Sequence, residues 1–235
     1  MIYVCSDIHG DWDRYIKIYD TINLTNDDTL FILGDIIDRG NDGIKILKDI
    51  MYKPNVIPIL GNHEFMAKSI LSLSVEEITE DNIHKLDENF INNIVNWFAN
   101  GGQPTLNQFR TLSNFDRQSI LNYIDEFLVY EEITVNNQDY ILLHAGISKD
   151  AFKESKSMWE YYLDELIFER MDYSKTYFKD KIIITGHTPV QYIPENNNQD
   201  TIFKANNHIG IDGGCSHNRN LIVYCLDNDK TFYIN

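Results

Sequence analysis

Three things are scarce in this chain: cysteine, positive charge and long apolar runs. Among 235 residues there are three cysteines, Cys5, Cys215 and Cys225. No two stand in a CxxC spacing, and an odd count does not build a disulfide framework. All three lie in or beside apolar, strand-like stretches, so buried, reduced thiols and a reducing cytoplasm are expected. Lysine and arginine total 20 against 36 acidic residues, which leaves a formal net charge of -16. So acidic a surface repels a phosphodiester backbone, and stable nucleic-acid binding is not expected. A small phosphorylated substrate remains open, because metal ions can place positive charge locally. No apolar run approaches bilayer length, and the opening MIYVCSDIHG has no basic leader, so neither a membrane span nor a secretion signal is expected. Nothing in the sequence fixes the oligomeric state.

What is present is a regular alternation. The stretches IYVCS (2–6), TLFILGD (29–35) and NVIPILG (55–61) read as strands. Between and after them, DWDRYIKIYDTI, GIKILKDIM and EFMAKSILSL space their apolar residues as helices do. Strand–helix alternation favours crossover connections and a largely parallel arrangement. Residues 75–100 and 115–132 look helical and acidic, with GGQPTLNQF between them as a turn. Strand chemistry then resumes at DYILLHAGI (139–147), KIIITGHTP (181–189), HIGIDGG (208–214), NLIVYCLD (220–227) and TFYI (231–234). Helical spacing recurs in SMWEYYLDELIFERMDY (157–173), and PENNNQD (194–200) reads as a mobile polar loop. The expectation is one α/β domain over residues 1–235, with a mostly helical insertion at about 65–132.

The residues that end the strands share one chemistry. Asp7 and His9, Asp35 and Asp38, Asn62 and His63, His144, and His187 each lie just past an apolar run. A lone Asp there is usually a turn former or helix cap, and a lone His is usually a satisfied core residue. Five strands bringing such residues to one edge rarely arises by chance, and the crevice beyond strand C-termini is where open α/β sheets bind ligands. Carboxylate, imidazole and amide oxygen suit divalent metals, and no thiolate is offered. Six candidate ligands are too many for one tetrahedral zinc. They fit two ions about 3.5–4 Å apart sharing a carboxylate, a pair that activates water at neutral pH and clamps phosphoryl oxygens.

The segments DIHG, GDIIDRG, GNHE, HAG and GHTP resemble, in order, the motifs of the calcineurin-like metallophosphoesterases. The likeness is to the phosphoprotein phosphatase branch in its compact bacterial and phage form. Weaker echoes, NGGQPTL, FERMDY and IGIDGGC, extend it over most of the chain. The resemblance implies a four-layer α/β/β/α sandwich with a dimetal site at the strand C-terminal ends. It implies that Asp7, His9 and Asp35 hold one ion, that Asp35 bridges, and that Asn62, His144 and His187 complete the second site. His63 would protonate the leaving oxygen and Asp38 would orient it. Arg39, Arg170 and Asn62 would contact the phosphate. The ions would be Mn2+, with Fe or Zn as alternatives. The activity implied is dephosphorylation of phosphoserine or phosphothreonine in proteins by direct attack of a metal-activated hydroxide.

The match has departures. DRGNDG stands where the family usually has DRGPDS, and IGIDGGC lacks the usual threonine. His84, His208 and His217 fall outside the metal motifs, and His84 reads as a surface residue. Trp12, Trp97 and Trp159 read as packing residues. The alternative on the same centre is a symmetrical diadenosine tetraphosphate hydrolase, against which Asp38 and Glu64 favour the phosphoprotein branch. The acidic surface argues against a nuclease, and the filled chemical positions argue against an inactive scaffold.

Overall fold

The computed structural model describes residues 1–75, 87–153 and 156–235. In chain order the first elements are β1 (Ile2–Cys5), α1 (Trp12–Ile22), β2 (Thr29–Leu33), α2 (Gly43–Ile50), β3 (Val56–Ile59) and α3 (Asn62–Leu73). Three more helices follow, α4 (Glu88–Ala99), α5 (Gln103–Arg110) and α6 (Asn114–Asp125). Then come β4 (Tyr130–Val135), β5 (Gln138–Leu143), α7 (Leu163–Ile167), β6 (Lys181–Thr185), β7 (Phe203–Ala205), β8 (His208–Gly210), β9 (Leu221–Cys225) and β10 (Lys230–Ile234).

The strands form two five-stranded mixed sheets, ordered β10-β9-β1-β2-β3 and β4-β5-β6-β8-β7. The expected parallel arrangement holds for β1, β2 and β3 and for β5, β6 and β8. Antiparallel strands flank both runs: tight turns join β9 to β10, β4 to β5 and β7 to β8, while β9 returns from the far end of the chain to pair with β1. The alternating side chains of the first sheet serve two cores. Tyr3, Cys5, Leu30, Ile32 and Val223 pack with Tyr15, Ile18, Ile46 and Leu47 of α1 and α2. Val4, Phe31, Leu33, Ile222 and Tyr224 cluster with Tyr140, Leu142 and Ile184 of the second sheet. Burying each such side chain contributes about 1.5–3 kcal/mol, which holds the sheets face to face. Met158, Leu166, Ile167 and Tyr173 join the second cluster. They come from a thin outer layer that contains the five-residue helix α7.

Several sequence expectations shift. The stretch expected as a turn after Gly102 is helix α5, because Pro104 falls in its first turn, where a missing N–H costs little. The acidic helix expected to reach residue 132 stops at Asp125, and Tyr130–Val135 is a strand. A hairpin dictates this: Asn136 and Asn137 both take left-handed φ, 51° and 64°, as a two-residue turn between β4 and β5 requires. Strand β7 was not anticipated and closes the same way, through Asn206 and Asn207 at 55° and 54°. Residues 157–173 hold a 3-10 turn and α7 rather than one helix. In the polar loop at 194–200, Asn196 is buried, and its amide donates to the carbonyls of Val190, Gln199 and Thr201. Trp159 is 75% exposed, so it is not a packing residue, whereas Trp97 is fully buried. His84, and the part of the expected 75–100 helix at 76–86, lie outside the described residues. No helix among the described residues is long and apolar enough to cross a membrane.

Candidate metal centre

The C-terminal ends of β1, β2 and β3 run on into loops that are bonded to one another. Asp7 and His9 donate their backbone N–H to the carbonyls of Gly34 and Asp35, at 3.1 and 2.9 Å, and Gly40 donates to the His9 carbonyl. These loops are tightly wound. Asp7, His9, Asp35, Asp38, Arg39 and His187 all adopt positive φ, between 50° and 68°. Non-glycine residues in this region carry strain, and such strain gathers where side chains must be aimed. Gly34, at φ +75°, takes the left-handed turn just past β2. Gly40 serves differently: a Cβ there would meet the His9 carbonyl oxygen at 2.3 Å, so it permits close approach.

Asp35 lies at the middle. Its Oδ2 is 3.7 Å from both His9 Nε2 and His63 Nε2, and its Oδ1 is 3.3 Å from His144 Nε2. His9 Nε2 is also 4.0 Å from Asp7 Oδ1. Asn62 Oδ1 is 2.9 Å from His144 Nε2. His187 joins from the second sheet, its ring 5.0 Å from that of His144 and its N–H bonded to Asp7 Oδ2 at 3.0 Å. Two sets of ligand atoms each lie within 4.8 Å of one another: His9, Asp35 and His63, and Asp35, His144 and His187. The expected ligands are thus brought together around Asp35, with His63 closer in than its expected role alone requires.

The donor chemistry fits cations. His144 Nδ1 is 2.7 Å from the Leu33 carbonyl and His9 Nδ1 is 3.0 Å from that of Ile37, so each ring spends its N–H on the backbone. With Nδ1 of each ring given to a carbonyl, Nε2 is the ring atom left to face the centre. In both cases it faces carboxylate or amide oxygens, which are acceptors. Lone pairs that converge in a buried space need a proton or a metal ion between them, and a backbone-anchored imidazole is the usual metal ligand. Burial holds His9 well below the ordinary histidine range, and burial with the nearby His144 ring holds His187 at about 3, so both offer neutral nitrogen. Burial and the neighbouring Asp35 push Asp7 up to about 6. Burial would also raise Asp35, but the imidazoles around it, His144 foremost, outweigh that and hold it low.

Asp38 does not face this cluster. Its Oδ2 is 2.7 Å from His63 Nδ1, and both residues are buried. Burial disfavours a charged His63, but Asp35 and Asp38 together raise it to about 8. With Nδ1 turned to Asp38, Nε2 is the ring atom on the cavity side, where it accepts from Arg39 Nη2 at 3.2 Å. A cavity of about 160 Å³ opens over these groups, with Arg39 and Arg170 both on its wall. Arg39 is held by Ser216 Oγ at 2.8 Å, and Arg170 by Thr188 Oγ1 at 3.2 Å.

A family model, that of the calcineurin-like phosphoesterases, matches residues 1–216. The chain belongs to this family. Over 97% of its length it is 25% identical to the asymmetrical bis(5'-nucleosyl)-tetraphosphatase PrpE of Bacillus velezensis, covering 90% of that protein. It is 36% identical over 81 residues to a symmetrical bis(5'-nucleosyl)-tetraphosphatase of Wigglesworthia glossinidia brevipalpis, spanning 29% of that relative's length. Against the serine/threonine-protein phosphatase PP1-delta of Caenorhabditis elegans it is 35% identical over 68 residues, spanning 22% of that length. Among solved structures, one provisionally assigned as a diadenosine tetraphosphatase superposes with a TM-score of 0.67 at 12% identity, covering 99% of this chain and 92% of that one. That likeness supports the same mixed α/β fold.

The structure also adds residues the sequence reading left without a role. Glu64 is fully buried. It accepts backbone N–H groups from Asp35, Ile36, Ile37 and Gly61 at 2.8–3.2 Å. Burial and the Asp35 charge raise it to about 7, against those four donors. Asp212, from the IGIDGG echo, lines the cavity, where burial and Asp7 push it well above the carboxylate range. Asn100, Tyr192 and His217 complete the rim. Their types are too common for spacing to have marked them.

Proposed function

We propose that this family member is a dimetal-dependent phosphohydrolase whose leaving oxygen is protonated by His63. The observation behind this reading is the buried His63–Asp38 pair at 2.7 Å beside Arg39. Two divalent ions held by Asp7, His9, Asp35, Asn62, His144 and His187 would supply Lewis acidity and a more acidic water. Manganese suits such a nitrogen and oxygen donor set. The chain's own residues do the rest. Arg39 and Arg170, which line the same cavity as the acids, offer forked donors to phosphate oxygens. Asp38 fixes Nδ1 as a donor, which leaves Nε2 as the atom through which the ring would exchange a proton on the cavity side. An acid so placed is worth most to an alkoxide leaving group, which favours phosphoserine or phosphothreonine esters as substrates.

A second reading is hydrolysis of dinucleoside tetraphosphates. It is favoured by the relative matched over nearly the whole chain, whereas the protein phosphatase match spans 27% of it. Glu64 does not decide between the two, since its carboxylate supports the Asp35 loop and faces no substrate. The deciding experiment is a side-by-side assay of a phosphoserine peptide and diadenosine tetraphosphate with manganese present. Faster turnover of the peptide supports the first reading. Turnover of the dinucleotide alone replaces it with the second, and turnover of neither, with metal bound, overturns both.

A further inference from the structure

Four hydrogen bonds tie Asp38 to α3, α4 and α5. Trp97, fully buried on α4, donates its indole N–H to Asp38 Oδ2 at 2.7 Å. Thr105, fully buried on α5, donates its hydroxyl to Asp38 Oδ1 at 2.6 Å and accepts the Asp38 backbone N–H at 3.0 Å. The fourth is the His63 bond itself, to Oδ2 at 2.7 Å.

We propose that Trp97 and Thr105 are positioning residues for the proton donor, fixing the rotation of the carboxylate that orients His63. The chemistry of each donor supports this. An indole N–H has no lone pair, so it can only face an accepting oxygen. The Thr105 hydroxyl already takes the Asp38 N–H on a lone pair, so its own proton has to point at Oδ1. Three donors on two oxygens stop the carboxylate turning, and His63 Nδ1 is left one direction to donate in. The same segment also sets the phosphate side of the cavity. Gly101, between the two helices, accepts the Arg39 backbone N–H at 2.8 Å. A Cβ at Gly102 would come within 2.3 Å of the Trp97 ring, so the turn is closed tightly around the indole. A tryptophan kept for packing alone would have no use for its N–H, which phenylalanine would lack at little loss of apolar contact.

The inference rests on His63 being the proton donor, so that variant is tested alongside. Trp97→Phe, Thr105→Val, Thr105→Ser and His63→Asn are assayed with manganese on phenyl phosphate, whose leaving group needs a proton, and on nitrophenyl phosphate, whose leaving group needs little help. Trp97→Phe and Thr105→Val are expected to lose about tenfold or more kcat on phenyl phosphate beyond any loss on nitrophenyl phosphate, with KM and metal content held. Thr105→Ser is expected to recover most of the loss, and His63→Asn to show the same selectivity more strongly. Equal losses on both substrates for Trp97→Phe and Thr105→Val, with His63→Asn selective, overturn the inference alone. Equal losses for His63→Asn overturn the donor reading and the inference with it. If Trp97→Phe does not fold, the Thr105→Val and Thr105→Ser pair decides by the same ratio.

Discussion

The half of the site carried by β1, β2 and β3 is held differently from the half carried by β5 and β6. In the first half Asp7, His9, Asp35, Asp38 and His63 are each no more than 3% exposed, and their loops are bonded backbone to backbone. Glu64 then gathers four further N–H groups from the same turns. In the second half His144 is buried, but its ring is anchored on Leu33 of the first sheet. His187 is half-buried and Arg170 is exposed, and each comes from a loop beyond the second sheet. One half is thus a rigid frame and the other is applied to it. The difference suggests where variants should abolish the site and where they should only weaken it.

The largest effect is expected at the junction. Asp35→Ala removes the one carboxylate that faces ligands of both halves. It should lose activity and most bound metal while the fold, read by circular dichroism, survives. Elemental analysis of the purified variant is the check, and unchanged metal content would refute the bridging role. Next comes the frame. Glu64→Ala leaves four buried N–H groups unpaired, at about 1–3 kcal/mol each if none finds water, so a loss of about 3 kcal/mol or more is expected. Urea unfolding measures it, and a loss under about 1 kcal/mol would mean that the loops hold themselves.

The two arginines compare the halves directly. Arg39→Ala should raise KM for phosphate monoesters and weaken inhibition by inorganic phosphate, with Arg39→Lys restoring part, because the fork is lost. Arg170→Ala should do the same by a smaller factor, since its exposed guanidinium is more screened. An equal or larger effect at Arg170 would reverse the ranking of the halves.

The smallest effect concerns pH and the second sheet. His208 is buried against Tyr173, stacked at 4.6 Å, with Nε2 at 2.8 Å from Thr185 Oγ1 and its Nδ1 without a partner. Burial holds it down at about 3. An unfolded histidine takes up its proton near 6.5. Its contribution is therefore complete above about pH 6.5 and is lost as pH falls from there toward 3, at up to about 1.4 kcal/mol per pH unit. Wild type should lose stability between pH 7 and 5 more steeply than His208→Gln. Parallel slopes would show that His208 titrates alike in the folded and unfolded states, so that burial does not hold it neutral.

How far the site was legible follows from where each group's partner lies in the chain. Asp7, His9, Asp35, Asn62 and His63 sit within a few residues of strand ends, so a period-2 apolar run followed by a ligand residue announces them. Strands β4 and β7 were missed because short, partly exposed edge strands have no such run, and the Asn-Asn turns that define them were outweighed by the acidic residues nearby. Glu64, Trp97 and Thr105 were visible as letters but not as roles. Glu64 looked like part of a motif, and Trp97 like packing, because neither spacing nor composition records which buried group a donor will meet.

The sequence by itself determined the chemistry available: oxygen and nitrogen ligands after successive strands, no thiolate pair, a family pattern in order, and an acidic chain whose few arginines matter. Local backbone rules suffice for that, since a strand must end, and what ends it is written next to it. Only the tertiary structure decided which candidate ligands lie together, which imidazoles anchor Nδ1 on the backbone and which carboxylate meets His63 Nδ1. Those depend on contacts across long stretches of chain, such as His144 with Leu33, 111 residues apart, and Asp38 with Thr105, 67 apart. Such contacts are made when the two sheets bury their apolar faces on each other and the helices cover the first sheet's outer face. The hydrophobic effect that drives this burial is non-directional, so the polar geometry is set by the packing and not by any short stretch of sequence.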